Sequence, residues 1–159
     1  MSKPKISILC VTYNHEKFIS DALDGFLIQK GDFTYEIVIG DDCSQDCTVD
    51  VIKKYQSLHP NIIRLIERDS NLGVYKNVID TFGQCNGEYI AICEGDDFWI
   101  DEYKLKSQLE ILNTSPSTSA VYHKVNIVNE HGEVLKVYPN EAHNYNNVRE
   151  FWSDFYRIP

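Results

Sequence analysis

Short, continuous apolar runs alternate along this chain with stretches whose apolar side chains recur at helical spacing, the signature of βαβ units. Ile6 to Val11 reads as a first strand. Phe18, Ile19, Ala22, Leu23, Phe26 and Leu27 then follow a helical repeat, and Asn14 stands where it can cap that helix. Tyr35 to Gly40 is a second strand, and Thr48 to His59 a second helix with Val51, Ile52, Tyr55 and Leu58 on one face before Pro60 stops it. Ile62 to Ile66 is a third strand. A third helix runs from Val74 to about Cys85, with Val78, Ile79 and Phe82 expected inward, and Tyr89 to Cys93 is a fourth, buried strand.

Beyond Cys93 the pattern changes. Tyr103 to Asn113 reads as a helix through Leu105, Leu109 and Leu112. Ala120 to Val128 alternates like a strand, and Asn129-Glu130-His131-Gly132 looks like a hairpin turn into Val134 to Tyr138. The last twenty residues carry Phe151, Trp152, Phe155 and Tyr156 with no following element to pack against. The absence of repeats and linkers predicts one α/β domain over residues 1–159, built on a mostly parallel sheet flanked by helices.

Composition narrows the partners. A chain of 159 residues with 43% hydrophobic content can bury a sizeable core. Its net charge of −9 disfavours nucleic acid and anionic membrane surfaces, which both reward Lys and Arg. No apolar run approaches the roughly 20 residues of a membrane span, and the polar stretch Met1–Lys5 has no signal-peptide character. Five cysteines without paired metal-ligand spacing fit a reducing compartment, so a cytoplasmic setting is expected. Cys10 and Cys93 read as core residues, and Cys43 and Cys47 flank a turn with no second pair to complete a zinc site.

The chemistry lies where the apolar runs stop. In open α/β sheets ligands bind beyond the carboxyl ends of the strands, and here two strands deliver carboxylates to that edge. Glu94-Gly95-Asp96-Asp97 groups three acids around a glycine that lets the backbone bend. Hard oxygen donors of this kind suit Mg²⁺ or Mn²⁺, although a solvated acidic turn would look the same. Asp41-Asp42 can serve as turn-former and helix cap, or as acceptor for a base or ribose edge. Tyr13 can offer its ring to a nucleobase or pack on the first helix. Asn71-Leu72-Gly73 precedes the third helix, whose free N–H groups favour phosphate, with Lys76 and Asn77 in its first turn. His15, His59, His123, His131 and His143 show no motif spacing and read as surface or packing residues. The chain has no glycine-rich phosphate loop of the Walker or dinucleotide type.

In order, four stretches resemble glycosyltransferase family 2. They are Ile6 to Asn14, Glu36 to Ser44, Asn71 to Asn77, and Gly87 to Trp99, the last containing Glu94-Gly95-Asp96-Asp97-Phe98-Trp99. The likeness is dense from Lys5 to Trp99 and looser through Leu112. It implies a GT-A (Rossmann-like) fold, a nucleotide-sugar donor, UDP-linked for choice, and a divalent cofactor, Mn²⁺ or Mg²⁺. By position, Thr12 and Tyr13 would line the base pocket and Asp42 would bond the base. Asn71, Gly73 and Lys76 would complete the donor site. Asp96 would face the ribose or donor sugar, and Asp97, with Asp96 and Glu94, would hold the metal bridging the diphosphate. Members invert the anomeric centre by direct displacement. Many carry an arginine where this chain has Lys76, which meets phosphate as a point charge without bidentate geometry, and their metal motif usually opens with Asp where this one has Glu94.

The resemblance also implies a glycan or lipid-linked glycan acceptor in cell-surface polysaccharide assembly, with association into oligomers open. Residues 1–115 correspond to the donor-binding half and 116–159 to the start of an acceptor half, apparently truncated. The catalytic base is expected beyond Pro159, since neither Glu150 nor Asp154 matches it. Alternatives are a catalytically silent nucleotide-sugar-binding fragment, a nucleotidyltransferase, which would want a basic glycine-rich loop after the first strand, and an acidic pocket that takes no nucleotide.

Overall fold

A computed structural model describes residues 3–129 and 131–138. The aromatic stretch expected to lack a packing partner, together with Glu150 and Asp154, lies outside the described residues, as does Glu130 of the hairpin turn. Four strands form one parallel sheet in the order β3-β2-β1-β4: β1 Ile6–Thr12, β2 Tyr35–Asp41, β3 Ile63–Glu67 and β4 Tyr89–Ile92. The helices between them are α1 Ile19–Leu27, α2 Thr48–Leu58 and α3 Val74–Phe82, and α4 Lys104–Thr114 follows the sheet. The chain divides into two compact units, Met1–Thr118 and Ser119–Pro159. Within the second, β5 Val125–Val128 and β6 Val134–Tyr138 pair antiparallel around a turn in which Gly132 (φ 78°) donates its N–H to the Asn129 carbonyl at 2.9 Å. The strand expected from Ala120 thus begins five residues later.

The core explains why β1 is central. Ile6, Ile8 and Cys10 point from one face of β1 into a cluster with Ile37 and Ile39 of β2 and Ile63 of β3. Ile19, Ala22, Leu23 and Phe26 of α1 and Ile52 of α2 close over them. Cys10 and Cys93 are buried there, as their setting in apolar runs implied. Alternate strand residues point to opposite faces, so Leu9 and Val11 face the other side, where α3 lies against β1 and β2. β4 is an edge strand of the described sheet and only partly buried, with Ile92 exposed.

Three expectations need correction. Asn14 does not cap α1: that helix starts with Phe18 at the cap position and no side-chain cap, while Asn14 is left-handed (φ 58°) and its side chain turns to another loop. Leu58 sits in the last turn of α2 at 74% exposure, because the helix meets the core through Thr48 and Ile52 near its start. In α3, Ile79 (68% exposed) and Phe82 face outward, and the inward residues are Asn77 and Thr81. Gly40 of β2 causes that rotation. A Cβ there would come within 2.0 Å of Thr81 Oγ1, so the missing side chain lets α3 close in and Asn77 Nδ2 donate to the Gly40 carbonyl at 2.8 Å. Arg68 Nε donates to Asn77 Oδ1 (3.2 Å), which leaves the buried amide satisfied on both sides. The helix also ends at Phe82, short of Cys85.

Candidate functional site

Register places the acids. Because all four strands run parallel, their carboxyl ends share one edge of the sheet, and Thr12 stands at the centre of it. The Thr12 carbonyl accepts the Asp42 N–H at 2.9 Å on the β2 side. On the β4 side the Val11 carbonyl accepts the Gly95 N–H at 2.9 Å. Asp42 and the 94–97 cluster therefore flank a single residue. Gly95 is required for that approach, since a Cβ would sit 2.9 Å from Thr12 Oγ1 and 3.0 Å from His15 Nδ1.

The β1 side of the crevice is built from two loops that hold each other. The Asn14 N–H donates to Ser44 Oγ (2.9 Å), and Asn14 Oδ1 accepts from the Gln45 N–H (2.8 Å). The His15 N–H donates to Thr48 Oγ1 (2.8 Å), the Glu16 N–H to Asp46 Oδ2 (3.1 Å), and the Cys47 N–H to Glu16 Oε2 (3.0 Å). Asp41 is buried and spends its carboxylate on the Ser44 N–H (2.9 Å) and hydroxyl. Asn14 thus staples loops together, which accounts for its left-handed backbone. Tyr13 projects beside it with its ring half exposed, so it does not pack away against α1.

Asp42 is 3% exposed and already employed: Oδ1 accepts the Leu72 N–H at 2.7 Å and Oδ2 the Gly73 N–H at 2.9 Å. It ties the segment before α3 to the end of β2. Each carboxylate oxygen keeps a second lone pair, so this anchoring leaves acceptor capacity. Asn71 Oδ1 also accepts the Gly73 N–H (3.0 Å), and Gly73 adopts φ 80°, a backbone that suits glycine. Lys76 is exposed one turn further on.

The 94–97 turn is anchored behind. Trp99 is buried edge-on against Phe26 with centroids 4.9 Å apart, and Lys104 Nζ lies 3.9 Å over its ring. Gln29 Nε2 donates to the Asp101 carbonyl at 2.8 Å, and the Lys30 N–H to that of Glu102 at 2.7 Å. Burial pulls the Lys104 ammonium down to about 8. In the turn itself, burial first and then the Asp96 charge hold Glu94 and Asp97 above the usual carboxylate range, with His15 acting in the opposite sense on both.

Thr12 Oγ1 and His15 Nδ1 are buried side-chain atoms with no hydrogen-bond partner among the described residues, and both approach the Gly95 position. His15 Nδ1 stands 3.8 Å from Asp96 Oδ1. His15, expected to be a surface or packing residue, thus has a largely buried side chain near an acid remote in sequence. Among the described residues no three His, Cys, Asp or Glu side chains form a cage for an ion. Crowded hard-oxygen donors with raised proton affinity still fit a divalent cation that takes only one or two carboxylates and completes its shell with substrate oxygens and water.

The family model described as glycosyl transferase family 2 matches residues 7–158. The chain is 40% identical over 134 residues to an uncharacterized protein of Mycobacterium tuberculosis, covering 84% of this chain and 39% of that protein. It is 32% identical over 111 residues to the putative teichuronic acid biosynthesis glycosyltransferase TuaG of Bacillus subtilis, covering 69% and 42% respectively. The crystal structure of Staphylococcus aureus TarS 1-349 in complex with UDP-GlcNAc superposes with a TM-score of 0.61 at 29% identity, over 69% of this chain and 31% of that one. The chain thus spans well under half the length of these relatives.

Proposed function

The chain belongs to glycosyl transferase family 2 and has the GT-A fold, and we propose that it forms the donor-binding part of a glycosyltransferase using a UDP-sugar and a divalent cation. The observation that carries this reading is the convergence at Thr12 of Asp42 from one side and the 94–97 carboxylates from the other. The half-exposed Tyr13 ring offers a stacking face for the base, and Thr12 and Asp42, both 3% exposed, would meet its edge. The free N–H groups of the α3 start and Lys76 favour the diphosphate. Asp96 and Asp97 would hold Mn²⁺ or Mg²⁺ with Glu94 beside them, and the bound ion would offset the charge of the departing nucleoside diphosphate. UDP-GlcNAc bound by TarS favours the uridine class, and a teichuronic acid role for TuaG favours a cell-surface glycan acceptor. We take transfer to invert the anomeric centre.

No helix among the described residues is long and apolar enough to cross a membrane. Free cysteines at Cys10, Cys43, Cys47, Cys85 and Cys93 favour a cytoplasmic site. Calorimetry with UDP, GDP and dTDP, each with and without Mn²⁺, tests the proposal. UDP should bind most tightly and more tightly with Mn²⁺; no binding of any nucleotide would sink it.

A further inference from the structure

Resting on that donor-site reading, we propose that His15 is a positioning residue for the metal-binding carboxylates, its Nδ1–H steadying Asp96. The backbone fixes where His15 stands: the left-handed Asn14 redirects the chain after β1, and the His15 N–H is held by Thr48 Oγ1 at 2.8 Å. The side chain is about four-fifths buried, with 21% of it exposed, yet Nδ1 has no hydrogen-bond partner among the described residues. A histidine buried only for packing normally has its ring nitrogens satisfied.

The group facing Nδ1 is Asp96 Oδ1 at 3.8 Å, beyond hydrogen-bond reach. Asp96 has a half-exposed side chain, and a turn of its carboxylate toward the ring would close that gap. Ligating carboxylates are themselves held by outer hydrogen bonds, and losing such a partner typically costs about 10- to 100-fold in metal affinity. The neutral tautomer with its proton on Nδ1 suffices, so no charge on His15 is required.

The test uses this chain with UDP, following free Mn²⁺ by its paramagnetic resonance signal. His15→Leu removes the donor, and His15→Asn restores an N–H on a side chain of the same reach to the first ring nitrogen. His15→Leu should weaken Mn²⁺ binding about 10- to 100-fold while leaving metal-free UDP affinity and the thermal midpoint near wild type. His15→Asn should recover most of the loss. A purely structural role would move the thermal midpoint and metal-free affinity together. Wild-type Mn²⁺ affinity in His15→Leu, or no recovery in His15→Asn, overturns the inference and leaves the donor-site reading standing. Failure of the unaltered chain to bind UDP under any condition removes both.

Discussion

Replacing Asp42 by Asn separates two duties that one carboxylate could perform. In the ligand-free protein both oxygens accept backbone N–H groups, from Leu72 at 2.7 Å and Gly73 at 2.9 Å. An amide has one acceptor oxygen, so whichever way it turns, its NH₂ confronts one of those donors. Losing one hydrogen bond to a charged group costs about 1.5–3 kcal/mol, and reducing the other to neutral strength about halves it. Asp42→Asn should therefore cost about 3 kcal/mol before any nucleotide is added. With a urea slope of about 1–3 kcal/mol/M, the unfolding midpoint should fall by 1 M or more. UDP affinity should fall too, since the segment carrying Gly73 and Lys76 loses its tether. If ligand-free stability stays within about 0.5 kcal/mol of wild type while UDP binding collapses, Asp42 serves the ligand alone and the anchoring argument is wrong.

Three further outcomes follow from the same geometry. Gly40→Ala drives a methyl into Thr81 and Asn77 and should cost about 1–3 kcal/mol in urea melts, with part recovered on adding Thr81→Ala. Additive losses would contradict the close approach of α3. Burial would raise the Glu36 carboxyl, but hydrogen bonds from Ser7 and Asn86 prevail and lower it, so its stabilisation is full above about pH 4.3 and lost as pH falls through the depressed value. Glu36→Gln should flatten the acid side of a thermal-midpoint profile, and an unchanged profile would exclude that link. Asp97 is held above its ordinary range by burial and then by Asp96, so its contribution weakens as pH rises through that value. Asp97→Asn should raise the metal-free thermal midpoint at pH 7 and abolish the Mn²⁺-dependent gain in UDP affinity; retained gain would misplace the metal.

The strands and their acids were legible because each parallel strand is an apolar run with an abrupt end; β2 is buried as such a run implies, whereas β4 keeps the run at the edge of the described sheet and is only partly buried. α3 was misread because apolarity was taken as the guide to burial. Its inward face is Asn77 and Thr81, chosen to satisfy a strand carbonyl beside a residue with no side chain, and the spacing of Val78, Ile79 and Phe82 conceals it. Asn14 looked like a cap because a cap and a loop staple demand the same side chain, and the partner that decides between them, Gln45, is remote in sequence. The nearness of His15 to Asp96 is hidden for the same reason: the two approach only once the sheet sets β1 beside β4.

The mutual bonding of the 13–16 and 44–48 loops means that this flank of the crevice is set before anything docks. The His15 amide proton, held in a part-buried bond to Thr48 Oγ1, should exchange more slowly than those of Asn14, Glu16, Gln45 and Cys47, whose cross-loop bonds are exposed. A ligand then meets a surface that loses little freedom on contact, and any induced ordering falls to the opposite bank, where the Asp96 side chain is half exposed.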